Sequence, residues 1–227
     1  MCESRPSITD AFVKFLNKTT SQVDSLFILG DLFEYWIGDD SKQHENVIGA
    51  IKALTDRHIK VFLMHGNRDF LIGSFFEKKT GALLLQDPTL IEVYDRKILL
   101  SHGDSLCTDD VEYQSFKKKV RNESWKNEFL KKSLPERILI ANNFRKESEL
   151  NKKNKSEQIM DANPDEVNRI LTQFNYPDFF IHGHTHRPNH HSINLDGHRM
   201  QRIVLGDWYE QGSYLTLDTH SIETHQL

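Results

Sequence analysis

Apolar and polar positions along the chain follow two alternating rhythms. From Ser7 to Thr20, Phe12, Phe15 and Leu16 recur at helical spacing, with Ser7 and Asp10 placed as the N-cap and N3 of an acidic capping box, so the first element is a helix. The rhythm then shortens to runs of strand length, each ending in a glycine flanked by an acid, an amide or an imidazole. These runs are "LFILGD" at 26–31, "VFLMHGN" at 61–67, "ILLSHGD" at 98–104 and "FFIHGHTH" at 179–186, and "RIVLGDW" at 202–208 repeats the theme. Helical patterns separate some of them. One carries Val47, Ile48, Ile51 and Leu54; the other carries Val167, Ile170, Leu171 and Phe174 and opens on Asn163 as N-cap, Pro164 at N1 and acids in the first turn. Strands alternating with helices predict an α/β protein of layered architecture.

Residues 111–161 break this rhythm. They are polar, lysine-rich and helix-favouring, with apolar content limited to groups such as Trp125, Phe129 and Leu130 or Ile138, Leu139 and Ile140. The expected organisation is one domain over 1–227, with 111–161 as a helical cap inserted between the third and fourth strands.

Composition narrows the class. A chain of 227 residues is long enough to bury a substantial core without a disulfide or metal staple. Cys2 and Cys107 define no disulfide framework, and "MCESRPSITD" lacks the basic start and apolar run of a secretory signal, so a cytosolic, reduced protein is expected. No apolar stretch approaches the ~18 residues that cross a bilayer, which leaves only peripheral contact with one. The net charge of −4 is unevenly spread: Lys117 to Lys155 holds 13 Lys or Arg against 5 Glu. That block reads either as a solvated helical face or as a surface for an anionic ligand or lipid. Nucleic acid fits poorly, because the whole chain is acidic and the block lacks interleaved aromatics.

In open α/β sheets, ligands collect outside the carboxyl ends of the strands. Asp31, Asn67, His102, His184 and His186 stand there, a hard-to-borderline donor set suited to Mn²⁺, Fe²⁺ or Zn²⁺. One "GD" alone reads as a turn or a cap; five such positions in the same context read as a metal centre. His65 and His182, before their glycines, read as structural, and Phe33 and Trp36 as packing. Two metals bridged by a carboxylate and held ~4 Å apart suit hydrolysis of phosphate esters, and Asp31 is the candidate bridge. The roles of Glu34, Asp39 and Asp40 stay open among tuning the site, capping a helix and solvation.

"GDLFEYWIGDD", "HGNRDF", "HGDSLCTDD", "IMDAN" and "HGHTHRP", in this order, resemble the calcineurin-like metallophosphoesterases, and within them the UDP-2,3-diacylglucosamine diphosphatases of lipid A synthesis. The resemblance implies two facing mixed β-sheets flanked by helices, with a helical cap that holds acyl chains. It also implies Mn²⁺-dependent attack of water on the α-phosphorus, giving UMP and 2,3-diacylglucosamine 1-phosphate at the cytoplasmic face of the inner membrane. Asp31 then matches the bridging ligand, Asn67, His102 and His184 match ligands of one metal, and His186 matches a ligand of the other. Asp31, Asn67 and His184 are the implied catalytic positions. Asn67, Arg68, Asp110, Ser148, Lys152, Lys155 and His184 match substrate-binding positions, with Asn151 an alternative to Lys152. The family pattern opens with a strand ending in Asp-Leu-His-Leu, whose Asp and His complete one metal site, and "MCESRP" aligns after it. The expectation is therefore an upstream segment that supplies Asp-x-His. The alternatives are a weakly active or noncatalytic relative that binds the lipid, and a phosphodiesterase for soluble nucleotides.

Overall fold

The computed structural model describes residue 1 and residues 5–19, 23–154 and 159–227, apart from the side chains of 19, 149 and 152–154. Helix α1 (Pro6–Thr19) starts before the predicted capping box. The Arg5 carbonyl accepts the Thr9 N–H at 3.4 Å, which makes Arg5 the N-cap and puts Pro6 at the first helical position. Proline lacks only a donor that would be unpaired there and its fixed φ suits a helix, so Pro6 displaces Ser7 from the start.

Strand β1 (Ser25–Ile28), helix α2 (Glu45–Thr55), strand β2 (Lys60–Met64), helix α3 (Ser74–Thr80) and strand β3 (Leu83–Leu85) follow. The strands form a sheet ordered β1-β2-β3, parallel throughout. Strand periodicity assigns the faces. Val61 and Leu63 join Phe12 and Leu16 of α1, Ile51 of α2 and Phe76 of α3 in one buried cluster. Met64 turns the other way, toward Leu29.

The second sheet holds β4 (Thr89–Val93), β5 (Arg96–Ser101), β6 (Phe179–His182), β7 (Asn189–Leu195) and β8 (His198–Val204) in the order β4-β5-β6-β8-β7. Its centre is parallel and its two edges are antiparallel. Ile98, Leu100, Ile181 and Ile203 bury against Leu29 and Met64, so the two sheets face each other. One step along the same strands, Leu99 and Phe180 turn outward to Val167, Ile170 and Leu171. Those three belong to helix α7 (Pro164–Gln173), and the result is a helix-sheet-sheet-helix layering. A hairpin of β9 (Ser213–Leu217) and β10 (Ile222–Gln226) contributes half-buried Leu215, Leu217 and Ile222 to the inter-sheet core.

Helix α7 keeps the start predicted for it. The Asn163 side chain accepts the N–H groups of Asp165 at 2.9 Å and Glu166 at 3.2 Å. Asn163→Ala is expected to lower stability by about 1 kcal/mol, the usual cost of a lost N-cap, read as a lower urea midpoint at unchanged slope.

Between β5 and α7 the described residues include the α-helices α4 (Val111–Val120), α5 (Glu123–Leu130) and α6 (Leu134–Asn154). Their aromatics form a small core: Trp125 stacks on Phe129 with ring centres 5.0 Å apart, and Phe144 meets Phe116 at 5.0 Å. Phe129 also enters the cluster beside the first sheet. Arg137 of α6 is almost fully buried, donating to the Ile37 carbonyl at 2.7 Å and to both oxygens of Asp40 at 2.8 and 2.5 Å. The Arg137 hydrogen bonds hold the Asp40 carboxyl below its usual range. No helix among the described residues is long and apolar enough to cross a membrane.

Candidate metal centre

The loops leaving β1, β2, β5 and β6 meet at one end of the sheets. Beyond β1 the chain turns through Gly30 at φ 87° and Asp31 at φ 53°; beyond β6, His184 and His186 lie at φ 66° and 55°. Left-handed backbone costs a non-glycine residue about 1–3 kcal/mol and persists only where its surroundings fix it, typically at functional sites. Here it falls on three of the predicted ligands. Close approach of the loops requires glycine. A Cβ on Gly30 would lie 2.6 Å from His102 Nδ1, and one on Gly66 would strike the Asp31 carboxylate.

Asp69 clips two of the loops together. It is fully buried, and its carboxylate accepts the N–H groups of Gly66 at 2.8 Å, Asp31 at 3.3 Å and Phe33 at 3.4 Å. Burial, with Asp31 beside it, pushes its carboxyl above the usual range. Asp31 Oδ1 in turn accepts the Arg68 N–H at 2.9 Å.

The donor atoms converge. His102 Nδ1 donates to the Leu29 carbonyl at 2.9 Å, which fixes the tautomer and leaves Nε2 as an acceptor at the site, where it meets the Asn67 N–H at 3.3 Å. That Nε2 lies 3.1 Å from Asn67 Oδ1 and 3.9 Å from Asp31 Oδ1, and Asn67 Oδ1 is 3.0 Å from His184 Nδ1. Ligand atoms of Asp31, His102 and His184 all lie within 4.8 Å of one another. Burial holds the His184 imidazole down to about 3, so its lone pair is free at neutral pH. Burial alone would lower His102 as well, yet the Asp31 and Asp104 carboxylates outweigh it and raise its pKa. Oxygen and imidazole nitrogen atoms gathered this closely, in a field that favours positive charge despite burial, fit a divalent cation held by Asp31, Asn67, His102 and His184.

His186 stands outside this tight group. Its Nδ1 lies 3.0 Å from Asp207 Oδ2, a carboxylate supplied by the fifth strand-glycine run. Such a partner orients an imidazole and leaves the opposite nitrogen to a metal. Sequence reasoning missed Asp207, although its Gly-Asp repeats the pattern of Gly30-Asp31, and missed Asp69, whose role is visible only once two loops meet.

Arg68 lies over Asp31, with Nε 3.6 Å from Oδ2 and Nη2 3.2 Å from the Tyr209 hydroxyl. It also pairs with Glu34, which accepts from Arg5 at 2.6 Å as well. The other two acids of that loop serve structure. Asp39 accepts the N–H groups of Gly73, Phe75 and Phe76 at 3.0–3.1 Å, capping α3 across a long stretch of chain, and Asp40 holds Arg137. His65 Nε2 meets the Ile72 carbonyl at 2.7 Å, and His182 is fully buried.

The remaining predicted substrate positions lie along the cap. Asp110 caps α4, accepting the Tyr113 N–H at 3.0 Å. Ser148 is exposed on α6, as is Asn151. Lys155 and the side chain of Lys152 lie outside the described residues.

Comparison with known proteins places the chain in a family. Residues 4–188 match the calcineurin-like phosphoesterase family. A UDP-2,3-diacylglucosamine hydrolase of Aeromonas salmonicida is 44% identical over 95% of this chain and 85% of its own. Another, of Marinobacter nauticus, is 47% identical over 92% of this chain and 86% of its own. Among solved structures, an archaeal phosphodiesterase superposes with a TM-score of 0.47 at 14% identity, covering 99% of this chain and 93% of that one. The chain belongs to the calcineurin-like phosphoesterases, in the family of these UDP-2,3-diacylglucosamine hydrolases.

Proposed function

We propose that this protein hydrolyses the pyrophosphate bond of UDP-2,3-diacylglucosamine in lipid A biosynthesis. The observation that carries the reading is the convergence of Asp31, Asn67, His102 and His184 at the strand ends, in a chain whose relatives bear that activity as their name. In the reaction, water adds across the P–O–P bridge. A P–O bond forms at the α-phosphorus, the bond to the bridging oxygen breaks, and UMP and 2,3-diacylglucosamine 1-phosphate leave. The noncatalytic alternative is not favoured.

Asp31, Asn67, His102 and His184 would hold one Mn²⁺, and Asp31 with His186 would contribute to a second. The metal supplies Lewis-acid polarisation of the phosphoryl oxygens. Neutral imidazole at His184 and the amide oxygen of Asn67 keep neutral donors against that charge, and Asp207 keeps the His186 ring in place. The Arg68 guanidinium, beside Asp31, offers a planar fork for a phosphate oxygen pair, which would take it from Glu34 and Tyr209. Residues 111–161 serve as the cap of a single domain. Ser148 of α6, with Lys152 and Lys155, would contact the diacylglucosamine, and Asp110 would contact the sugar.

The cap also suits a peripheral contact with the cytoplasmic face of the inner membrane, because exposed Leu139 and Leu150 stand among surplus lysines. The test compares UMP release from the acylated substrate with that from its deacylated form, with Mn²⁺ present. Acylated substrate is expected to be preferred by more than about tenfold, since each buried methylene contributes ~0.8 kcal/mol. Equal rates would turn the reading to a soluble-nucleotide phosphodiesterase.

A further inference from the structure

We infer that Asp104 is a positioning residue, setting the first cap helix over the metal centre and thereby placing the substrate held between them. Asp104 follows His102 by two residues, in the short 3₁₀ turn Asp104–Leu106, and is fully buried. Its carboxylate oxygens take their donors from the cap. Its Oδ2 accepts the Tyr113 hydroxyl at 2.6 Å and Arg121 Nη2 at 3.0 Å, and its Oδ1 accepts Lys117 Nζ at 2.8 Å. The backbone carbonyl of the same residue accepts Gln114 Nε2 at 2.8 Å.

Those four donors come from one side of one helix. Tyr113, Lys117 and Arg121 repeat every four residues along α4 and its C-cap, and Gln114 adjoins them, so a single carboxylate fixes both the rotation and the height of α4. Two further contacts tie the same face to the metal loops. Arg121 Nη2 also donates to the Gly66 carbonyl at 3.0 Å, next to Asn67. The Tyr113 ring stacks over His184, with centres 5.8 Å apart and planes 30° from parallel. A buried carboxylate whose oxygens are filled by two cations and a phenol has one low-energy arrangement, and removing it frees three donors at once. Asp104 therefore transmits the placement of the His102 loop to the cap wall. This rests on the proposed substrate insofar as that wall is where the acylated sugar lies.

The test uses the full chain as Asp104→Asn and, as a milder variant that removes only one hydrogen bond, Tyr113→Phe. Amide hydrogen exchange is followed across α4, and kinetics are followed with UDP-2,3-diacylglucosamine and with the small diester bis(p-nitrophenyl) phosphate. In Asp104→Asn, exchange over Val111–Val120 is expected to quicken while α1, α2 and α7 keep their protection. KM for the acylated substrate should rise about 10–100-fold, as for other residues that orient a site from behind. The small diester, which does not reach the cap, should lose much less, and Tyr113→Phe should show the same split at smaller size. Unchanged exchange in α4, or equal losses on both substrates, would overturn the inference. Turnover of the diester without turnover of the lipid by the unaltered chain would overturn the substrate reading alone, and the exchange measurement would still decide for or against Asp104.

Discussion

Asp31→Ala and His184→Ala are each expected to lower Mn²⁺-dependent UMP release by more than about a hundredfold, since even residues that merely orient metal ligands cost 10–100-fold. The physical reason differs between the two. Asp31 is the ionisable oxygen donor of the converging group, so its loss removes the negative charge that a dication needs there and frees the Arg68 N–H that it accepts. His184 contributes a neutral nitrogen 3.0 Å from Asn67 Oδ1, and its loss opens one side of the site without changing its charge. Titration calorimetry with Mn²⁺ separates the cases. Asp31→Ala should abolish measurable binding, and His184→Ala should weaken it. Undiminished turnover in either variant, with an unaltered circular dichroism spectrum, would sink the assignment of these ligands.

A larger effect on folding is expected at Asp69. Three backbone N–H groups converge on this fully buried carboxylate, and a buried donor left unsatisfied costs about 1–3 kcal/mol. The bonds from Asp31 and Phe33 are long, so part of each is already forfeited. Asp69→Ala should therefore destabilise by about 3 kcal/mol rather than by the full sum. Asp69→Asn keeps one acceptor oxygen but turns an NH₂ group toward a backbone donor, and should fall between the two. The check is the urea midpoint at constant slope. A change below about 1 kcal/mol would mean that the loops hold their shape without the clip. Activity should fall in parallel, because Asp69 holds the N–H of Asp31 and that of Gly66 together and so sets the distance between the first two ligand loops.

The sequence by itself determined several strands, the ends of those strands and most of the polar residues that the fold gathers there. β5 and β6 are buried on both faces and therefore read as unbroken apolar runs, whose abrupt ending at Gly and His marks the functional edge. Helix α7 declares its start through Asn163 and Pro164, because capping is a short-range interaction written in adjacent residues. Some peripheral strands left no such trace. β7, "NHHSINL", has its outer positions in solvent, and β10, "IETHQ", carries a single apolar residue and does not stand out from a loop. The same limit hid the roles of several acids. Asp39 caps a helix that begins 35 residues later in the chain, Asp40 holds an arginine of the cap, and Asp69 and Asp104 satisfy donors brought to them by folding. Only the tertiary structure decided these. A carboxylate's role depends on which donors surround it, and those donors come from segments whose proximity no local pattern of residues encodes.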